Sequence, residues 1–205
     1  MSQEFAAAKL ELGQANALVE ILGGMDVVHR ILSGMSRAVI ETFKRLVKTG
    51  TIDVPDTEEM VLTEKFLREN YNFGWFGDNF QKLFFGKTEK GANGHKLAIH
   101  RLQEPATGQQ LKDELGAGAV TPLAYLLFMV KKQKNREEGV LLTNGYANIV
   151  IVEVEEDDGK GGKKNALWLV YAYWSSGDRC WRADASPVSP PTAWGAGCRV
   201  FSSDS

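Results

Sequence analysis

The residues best suited to binding chemistry form an aromatic group near the end of the sequence. Six large aromatic residues fall within 27 positions: Trp168, Tyr171, Tyr173, Trp174, Trp181 and Trp194. Three arginines are close to them in sequence: Arg179, Arg182 and Arg199. Aromatic rings beside guanidinium groups can stack on bases or sugars, or become buried against a partner protein.

The pattern around Tyr171 leaves three interpretations open. In a strand, Tyr171 and Tyr173 share one face, while Trp168 and Trp174 share the other. Both faces could be covered, one by helices and the other by the segment around Trp194 folding back. Alternatively, an exposed face could bind a protein partner, or it could stack bases or sugars.

The tripeptide Gly86-Lys87-Thr88 matches the end of a phosphate-binding P-loop. That motif also needs a glycine five residues before Gly86, where the sequence has Gln81, and it needs a strand before and a helix after. Here a short helix precedes the tripeptide. We therefore expect a glycine at a helix end with a solvated lysine, and no nucleotide site.

The sequence contains only weak motifs for metal binding or catalysis. If His95 to Leu102 is a strand, His95 and His100 point to opposite faces and cannot share one metal. The acidic run Glu153 to Asp158 lacks EF-hand spacing, and the lysines at 160, 163 and 164 would neutralise it, so a solvated hairpin tip is expected. A hydrolase would require a pocket that holds His95 or His100 with nearby carboxylates. We expect no metal and no cofactor.

The two cysteines, Cys180 and Cys198, exclude a zinc site built from cysteine alone. They predict either two free thiols in a reducing compartment or one disulfide late in the chain. Neither has a histidine nearby in sequence, and no serine lies in a Gly-x-Ser-x-Gly pattern.

The elements that must position these residues change along the chain. Apolar stripes at helical spacing predict helices over 15–22 and 28–48, and Asp56 or Thr57 can cap a third helix. The middle, 71–137, reads as mixed, with helices beginning at Asp78, Thr107 and Thr121. From about Val140 the period becomes two, which predicts strands.

The predicted fold class is therefore α+β: a helical N-terminal part followed by an antiparallel β-meander of three to four strands. The predicted domains are 1–70, helical, and 71–205, mixed and ending in sheet, with one continuous domain as the alternative. A helix-turn-helix in the first 50 residues is disfavoured, because 6 basic against 5 acidic side chains leave a weak electrostatic footprint.

The composition predicts an ordinary soluble globular protein. The 205 residues carry a net charge of −2 and are 43% hydrophobic, which excludes a globally basic nucleic-acid binder. The apolar run from Val120 to Val130 is much shorter than the roughly 20 residues of a membrane span. The first residues lack the features of a secretory signal. We expect a cytoplasmic protein with no membrane contact.

Three stretches, 77–89, 138–149 and 194–202, resemble a family of uncharacterised bacterial proteins with a variable helical N-terminal part and a β-rich C-terminal end. The resemblance implies a bacterial, intracellular setting and no particular activity. Together these features predict a non-catalytic interaction or scaffold module that binds a protein partner. The alternative is a nucleic-acid-binding protein that uses the aromatic residues with Arg179, Arg182 and Arg199.

Overall fold

The computed structural model describes residues 45–157, 159, 161–189 and 193–204, and Arg45–Ser205 form one compact unit. The strands within these ranges are β1 (Leu46–Val54), β2 (Met60–Val61), β3 (Phe73–Phe76), β4 (Thr88–Glu89), β5 (His95–Leu102), β6 (Ala106–Thr107), β7 (Asn148–Asp157), β8 (Lys163–Ser175), β9 (Cys180–Pro187), β10 (Ala193–Trp194) and β11 (Arg199–Ser203). The helices are α1 (Glu64–Tyr71), α2 (Asp78–Phe84), α3 (Gly108–Leu115) and α4 (Leu123–Lys132). A 3-10 turn, Gly116–Gly118, follows α3.

Seven strands form one mixed sheet in the order β1-β5-β11-β7-β8-β9-β3. The pairs β11–β7 and β3–β9 are parallel, and the other neighbours are antiparallel. The short strands pair separately, β10 with β6 and β2 with β4. The centre of the sheet therefore consists of strands from the C-terminal part of the described chain, β11, β7 and β8, and the edge strands are β1 and β3.

The predicted fold class is wrong. The described chain is mostly β, and its sheet has seven strands of mixed direction instead of three to four in an antiparallel meander. Only β7, β8 and β9 form the predicted meander, because β11 inserts between β5 and β7. The helices predicted over 15–22 and for most of 28–48 lie outside the described residues.

The described start of the chain is also extended where a helix was predicted. Residues 46–48, which continue a helical apolar stripe in the sequence, belong to β1, and β1 pairs with β5 along its whole length. The segment Asp56–Glu59 forms no helix; the next helix is α1, capped by Thr63. Val47, Ile52 and Val54 are β-branched, and pairing with β5 decides their conformation.

Both faces of the sheet are covered. Helices α1, α2 and α4 pack on one face, where the sheet contributes side chains such as Val150, Val170 and Phe201. Helix α3 and the β6–β10 ribbon pack on the other, where the sheet contributes Ile149 and Leu169. We call these the helical face and the ribbon face.

Capping residues explain where the helices begin. The Thr63 hydroxyl accepts from the Phe66 N–H, and Thr107 with Gln110 forms a capping box at the predicted start of α3. Helix α4 has ten residues and starts after Pro122 without a local side-chain cap. In the described part of the chain, no helix is long and apolar enough to cross a membrane.

Candidate functional site

The structure separates the predicted aromatic site into two groups. Trp174 and Trp181 are 5% and 0% exposed and belong to the core of the helical face. Their rings meet edge to face with centroids 5.5 Å apart. The Trp181 indole donates to the Gln133 carbonyl at 2.9 Å. These two tryptophans therefore act in folding and cannot bind a partner.

The ribbon face holds Tyr171 and Tyr173, as the alternation predicts. Their rings lie nearly parallel with centroids 6.5 Å apart, and Trp194 meets Tyr171 edge to face at 4.7 Å. The Tyr171 hydroxyl donates to the Asp184 carboxylate at 3.3 Å. Burial, with the Asp184 charge, raises the pKa of Tyr171 well above its usual 10.0. The Trp194 segment thus covers Tyr171 and leaves both tyrosines half-buried.

A row of side chains continues from Tyr173 to the edge of the sheet. Tyr173 lies opposite Arg182, and Arg182 lies opposite Trp75 on β3. The guanidinium carbon is 6.0 Å from the centre of the Trp75 ring. Trp75 is 42% exposed. We call Trp75, Arg182, Tyr173 and Tyr171 the aromatic strip; sequence reasoning missed Trp75, because it lies about 100 residues before the other aromatic residues.

The charges around the aromatic strip balance. Arg182 forms an ion pair with Asp178, and its hydrogen bond with Tyr173, together with Asp178, raises the pKa of the guanidinium. Arg179 is exposed in the turn between β8 and β9. Arg199 lies three strands away on β11, half-buried, and donates to the Val140 carbonyl. The three predicted arginines therefore do not form one basic patch.

The remaining predicted residue, Trp168, lies on the helical face at a groove of about 1130 Å³. One wall of this groove comes from α2 and the segment after it, and the other comes from the β7–β8 hairpin. The basic lining residues are Lys82, Lys87, Lys90 and Lys163. The acidic lining residues are Glu89, Glu153, Glu155, Glu156 and Asp157. The groove thus joins the Gly-Lys-Thr segment to the acidic run.

Neither motif forms the site that it suggested. Gly86 has a φ of +75° just beyond α2, and the two-residue strand β4 follows Lys87 instead of a helix. Glu155 pairs with Lys163 and Glu156 with Lys164 across the hairpin. Two of the groove's carboxylates are therefore paired with lysines, and no helix follows Lys87 to complete a phosphate cradle.

One groove carboxylate has a perturbed environment. Glu89 accepts a hydrogen bond from the Ala124 N–H at 3.1 Å, at the start of α4. Burial raises the pKa of this carboxyl, while hydrogen bonds from the Ala124 and Leu123 backbones oppose the rise. Glu89 therefore supplies the cap that α4 lacks locally, in place of the predicted Thr121.

A hydroxyl–imidazole pair joins two strands on the ribbon face. His100 Nε2 lies 3.0 Å from Ser202 Oγ. Burial lowers the pKa of His100, and the positive charge of Lys48 adds to this, while Asp204 and Glu114 act in the opposite direction. Ser202 is only 3% exposed, and it lines neither the groove at Trp168 nor a smaller cavity beside β11. The pair links strands and lacks the access that a nucleophile needs.

Other chemical groups do not converge. Across the described residues, no three His, Cys, Asp or Glu side chains lie together so that they could hold a metal. Cys180 and Cys198 are buried free thiols, so the structure contains no disulfide between them. Burial raises the pKa of both thiols, which disfavours the reactive thiolate.

Comparisons with protein-family models, with curated proteins and with solved structures each found no match. The resemblance to a family of uncharacterised bacterial proteins therefore stays a prediction.

Proposed function

We propose that the protein is a non-catalytic interaction module that binds a protein partner through the aromatic strip. The observation that carries this proposal is the position of Trp75, which is 42% exposed on an edge strand beside Arg182. Trp, Tyr and Arg are the residues that most often dominate the binding energy of protein interfaces. Here all three types form a continuous row across β3, β9 and β8.

Part of the open edge of β3 is already occupied, which favours side chains over the backbone as the binding groups. Arg68 donates to the carbonyls of Phe73 and Gly74, at 3.3 and 2.7 Å, along β3. This contact occupies carbonyls that an added strand would need. We therefore expect the partner to bury the rings of Trp75 and Tyr173 and not to extend the sheet.

The charges near the aromatic strip favour a protein partner over nucleic acid. Phosphate contacts require several uncompensated Lys and Arg side chains close together. Arg182 is paired with Asp178 and Arg199 lies elsewhere. Arg179 is then a single exposed cation in the turn between β8 and β9. A balanced strip fits a protein surface that offers both charges at its rim. The buried free thiols support a cytoplasmic setting for this contact.

The test is site-specific photocrosslinking followed by measured affinity. A photoreactive phenylalanine analogue replaces Trp75 in one full-length variant and Val61, which is 54% exposed on β2, in the control. A protein captured only from position 75 is then purified, and its binding is measured by calorimetry. We expect Trp75→Ala and Tyr173→Ala to weaken binding by roughly tenfold or more each, and Val61→Ala to leave it unchanged.

Two results would count against the proposal. Equal affinity of the captured protein for the wild type and for both strip variants would place the interface elsewhere. Binding of single-stranded oligonucleotides that weakens with salt and requires Tyr173 would favour the nucleic-acid alternative instead.

A further inference from the structure

A second, smaller cavity opens beside β5 and β11, far from the aromatic strip in the strand order. Its volume is about 270 Å³. The lining residues with polar or aromatic groups are Arg101, Arg199, Asn144, Tyr146 and Cys198. No carboxylate lies among the described residues that line it.

The two arginines of this cavity are direct cross-strand partners. Arg199 on β11 is in register with Arg101 on β5, so both side chains project from the same face of the sheet. Like charges in this arrangement repel each other. Within the described ranges, neither guanidinium forms an ion pair. This part of the chain therefore places two arginines side by side on adjacent strands without a carboxylate partner.

The surrounding backbone is held in place by buried polar groups. Asn148 is 0% exposed; its side chain accepts from the Leu142 N–H at 2.7 Å and donates to the Leu142 carbonyl at 3.0 Å. The Arg199 guanidinium donates to the Val140 carbonyl, and its backbone N–H donates to the Ala147 carbonyl at 2.9 Å. Burial lowers the pKa of Arg199, yet an arginine keeps its charge in proteins.

An aromatic ring stands at the mouth of the cavity. Tyr146 is 48% exposed, and its ring packs on Gly197, where an added Cβ would lie 2.9 Å from Tyr146 Cε1. The adjacent Asn144 carries an amide that can donate hydrogen bonds. The cavity thus combines two cations, an amide and an exposed ring.

We propose that this cavity binds the dianionic phosphate group of a small molecule. A phosphate monoester carries close to two negative charges and three acceptor oxygens, which match the two guanidinium groups. A single carboxylate would neutralise only one of them. Free phosphate and an aromatic phosphate ester share this chemistry, and Tyr146 is placed to stack on the ring of an ester.

The test is calorimetry on the full-length protein with inorganic phosphate, phenyl phosphate and phenylacetate at constant ionic strength. We expect both phosphates to bind, and Arg101→Gln and Arg199→Gln to weaken each by roughly tenfold. Arg136→Gln, at an exposed arginine outside the cavity, is the matched control and leaves binding unchanged. If the physiological ligand is an aromatic ester, Tyr146→Ala weakens the binding of phenyl phosphate and leaves that of inorganic phosphate unchanged. If the physiological ligand is free phosphate, Tyr146→Ala leaves the binding of both unchanged.

A charge reversal at Arg101 tests phosphate binding even if Arg199→Gln fails to fold. Arg101→Glu places a carboxylate opposite Arg199, so the variant is expected to unfold at a higher temperature without ligand and to lose phosphate binding. Absence of phosphate binding to the wild type at millimolar concentration would overturn the proposal. Equal affinity for phenylacetate and phenyl phosphate, or equal loss in the Arg136→Gln control, would do so as well.

Discussion

The indole of Trp181 donates to the backbone carbonyl of Gln133 at 2.9 Å and so ties β9 to the end of α4. Both residues are almost fully buried, at 0% and 2% exposure. The Gln133 side chain continues this network, because its amide accepts from the Leu141 N–H at 2.7 Å and donates to the Leu141 carbonyl at 3.2 Å. A tryptophan that the sequence suggested for binding therefore organises the loop after α4.

This relationship predicts a stability effect for Trp181→Phe. The substitution removes one of two donors to the Gln133 carbonyl, which still accepts from the Arg136 N–H at 3.1 Å. Loss of the indole hydrogen bond costs about 0.5–1.5 kcal/mol of unfolding free energy, with a packing loss in addition. Urea unfolding followed by far-UV circular dichroism measures it. Trp75→Phe is the matched control, because Trp75 is 42% exposed and its change should stay within about 0.5 kcal/mol. Equal costs at the two positions would contradict the assignment of Trp181 to the core.

Local sequence patterns predicted several strands and the helix cap at Thr107, but not which elements pair with each other. The strand His95–Leu102 and the start of α3 at Thr107 are confirmed, since each depends on neighbouring residues. Strand order depends on contacts between residues far apart in sequence, so the parallel pair β11–β7 had no local signal. The same reason explains the missed cap by Glu89, 35 residues before Ala124.

The binding residues show the same limit. Alternation placed Tyr171 and Tyr173 on one face and Trp168 and Trp174 on the other, as the structure has them. The exposure of each ring was not available from alternation, because it depends on which helix or ribbon covers that face. Arg101 and Arg199 became a pair only through the register of β5 with β11.

The environment of Glu89 predicts that its contribution to the free energy of unfolding decreases as the pH rises. Burial raises the pKa of its carboxyl above 4.5 in the folded protein, so the folded state holds this proton more tightly than the unfolded chain does. Stability from this group is present below pH 4.5 and is lost as the pH rises through the folded pKa. Glu89→Gln removes this dependence, while the Gln oxygen can still accept from the Ala124 N–H. Urea unfolding across a pH series should show that the free energy of unfolding of the variant increases relative to that of the wild type as the pH rises.

The control for Glu89 is a carboxylate with the opposite shift. Hydrogen bonding and charge from Lys163 lower the pKa of Glu155. Glu155→Gln should therefore lose stability relative to the wild type as the pH rises. The same trend in both variants would show that burial of Glu89 does not control its titration.

His100 predicts a loss of stability in mild acid. Burial and Lys48 lower its pKa below 6.5 in the folded protein, against the smaller effects of Asp204 and Glu114. The unfolded chain therefore binds this proton more readily, and stability falls as the pH decreases from 6.5 through the folded pKa. Nuclear magnetic resonance of the imidazole Cε1 proton gives the pKa directly, and His100→Gln should flatten the stability profile in this window. An unchanged profile in the variant would contradict the effect.

Alanine substitutions at two glycines near the small cavity distinguish the cost of backbone strain from the cost of a steric clash. Gly145 and Gly197 have φ values of +91° and +97°, a region that other residues enter at a cost of about 1–3 kcal/mol. A Cβ at Gly145 meets no atom within 4 Å, whereas at Gly197 it would lie 2.9 Å from the Tyr146 ring. Gly145→Ala thus carries the strain alone, and Gly197→Ala carries both strain and clash.

We therefore expect Gly197→Ala to lower the unfolding free energy more than Gly145→Ala does. The excess should disappear when Tyr146→Ala is combined with Gly197→Ala, because the ring that the new methyl group meets is then absent. A double-mutant cycle measured by urea unfolding gives this coupling energy. If the excess persists without the Tyr146 ring, the methyl group must disturb another contact, and Gly197 does not set the position of the ring at the mouth of the cavity.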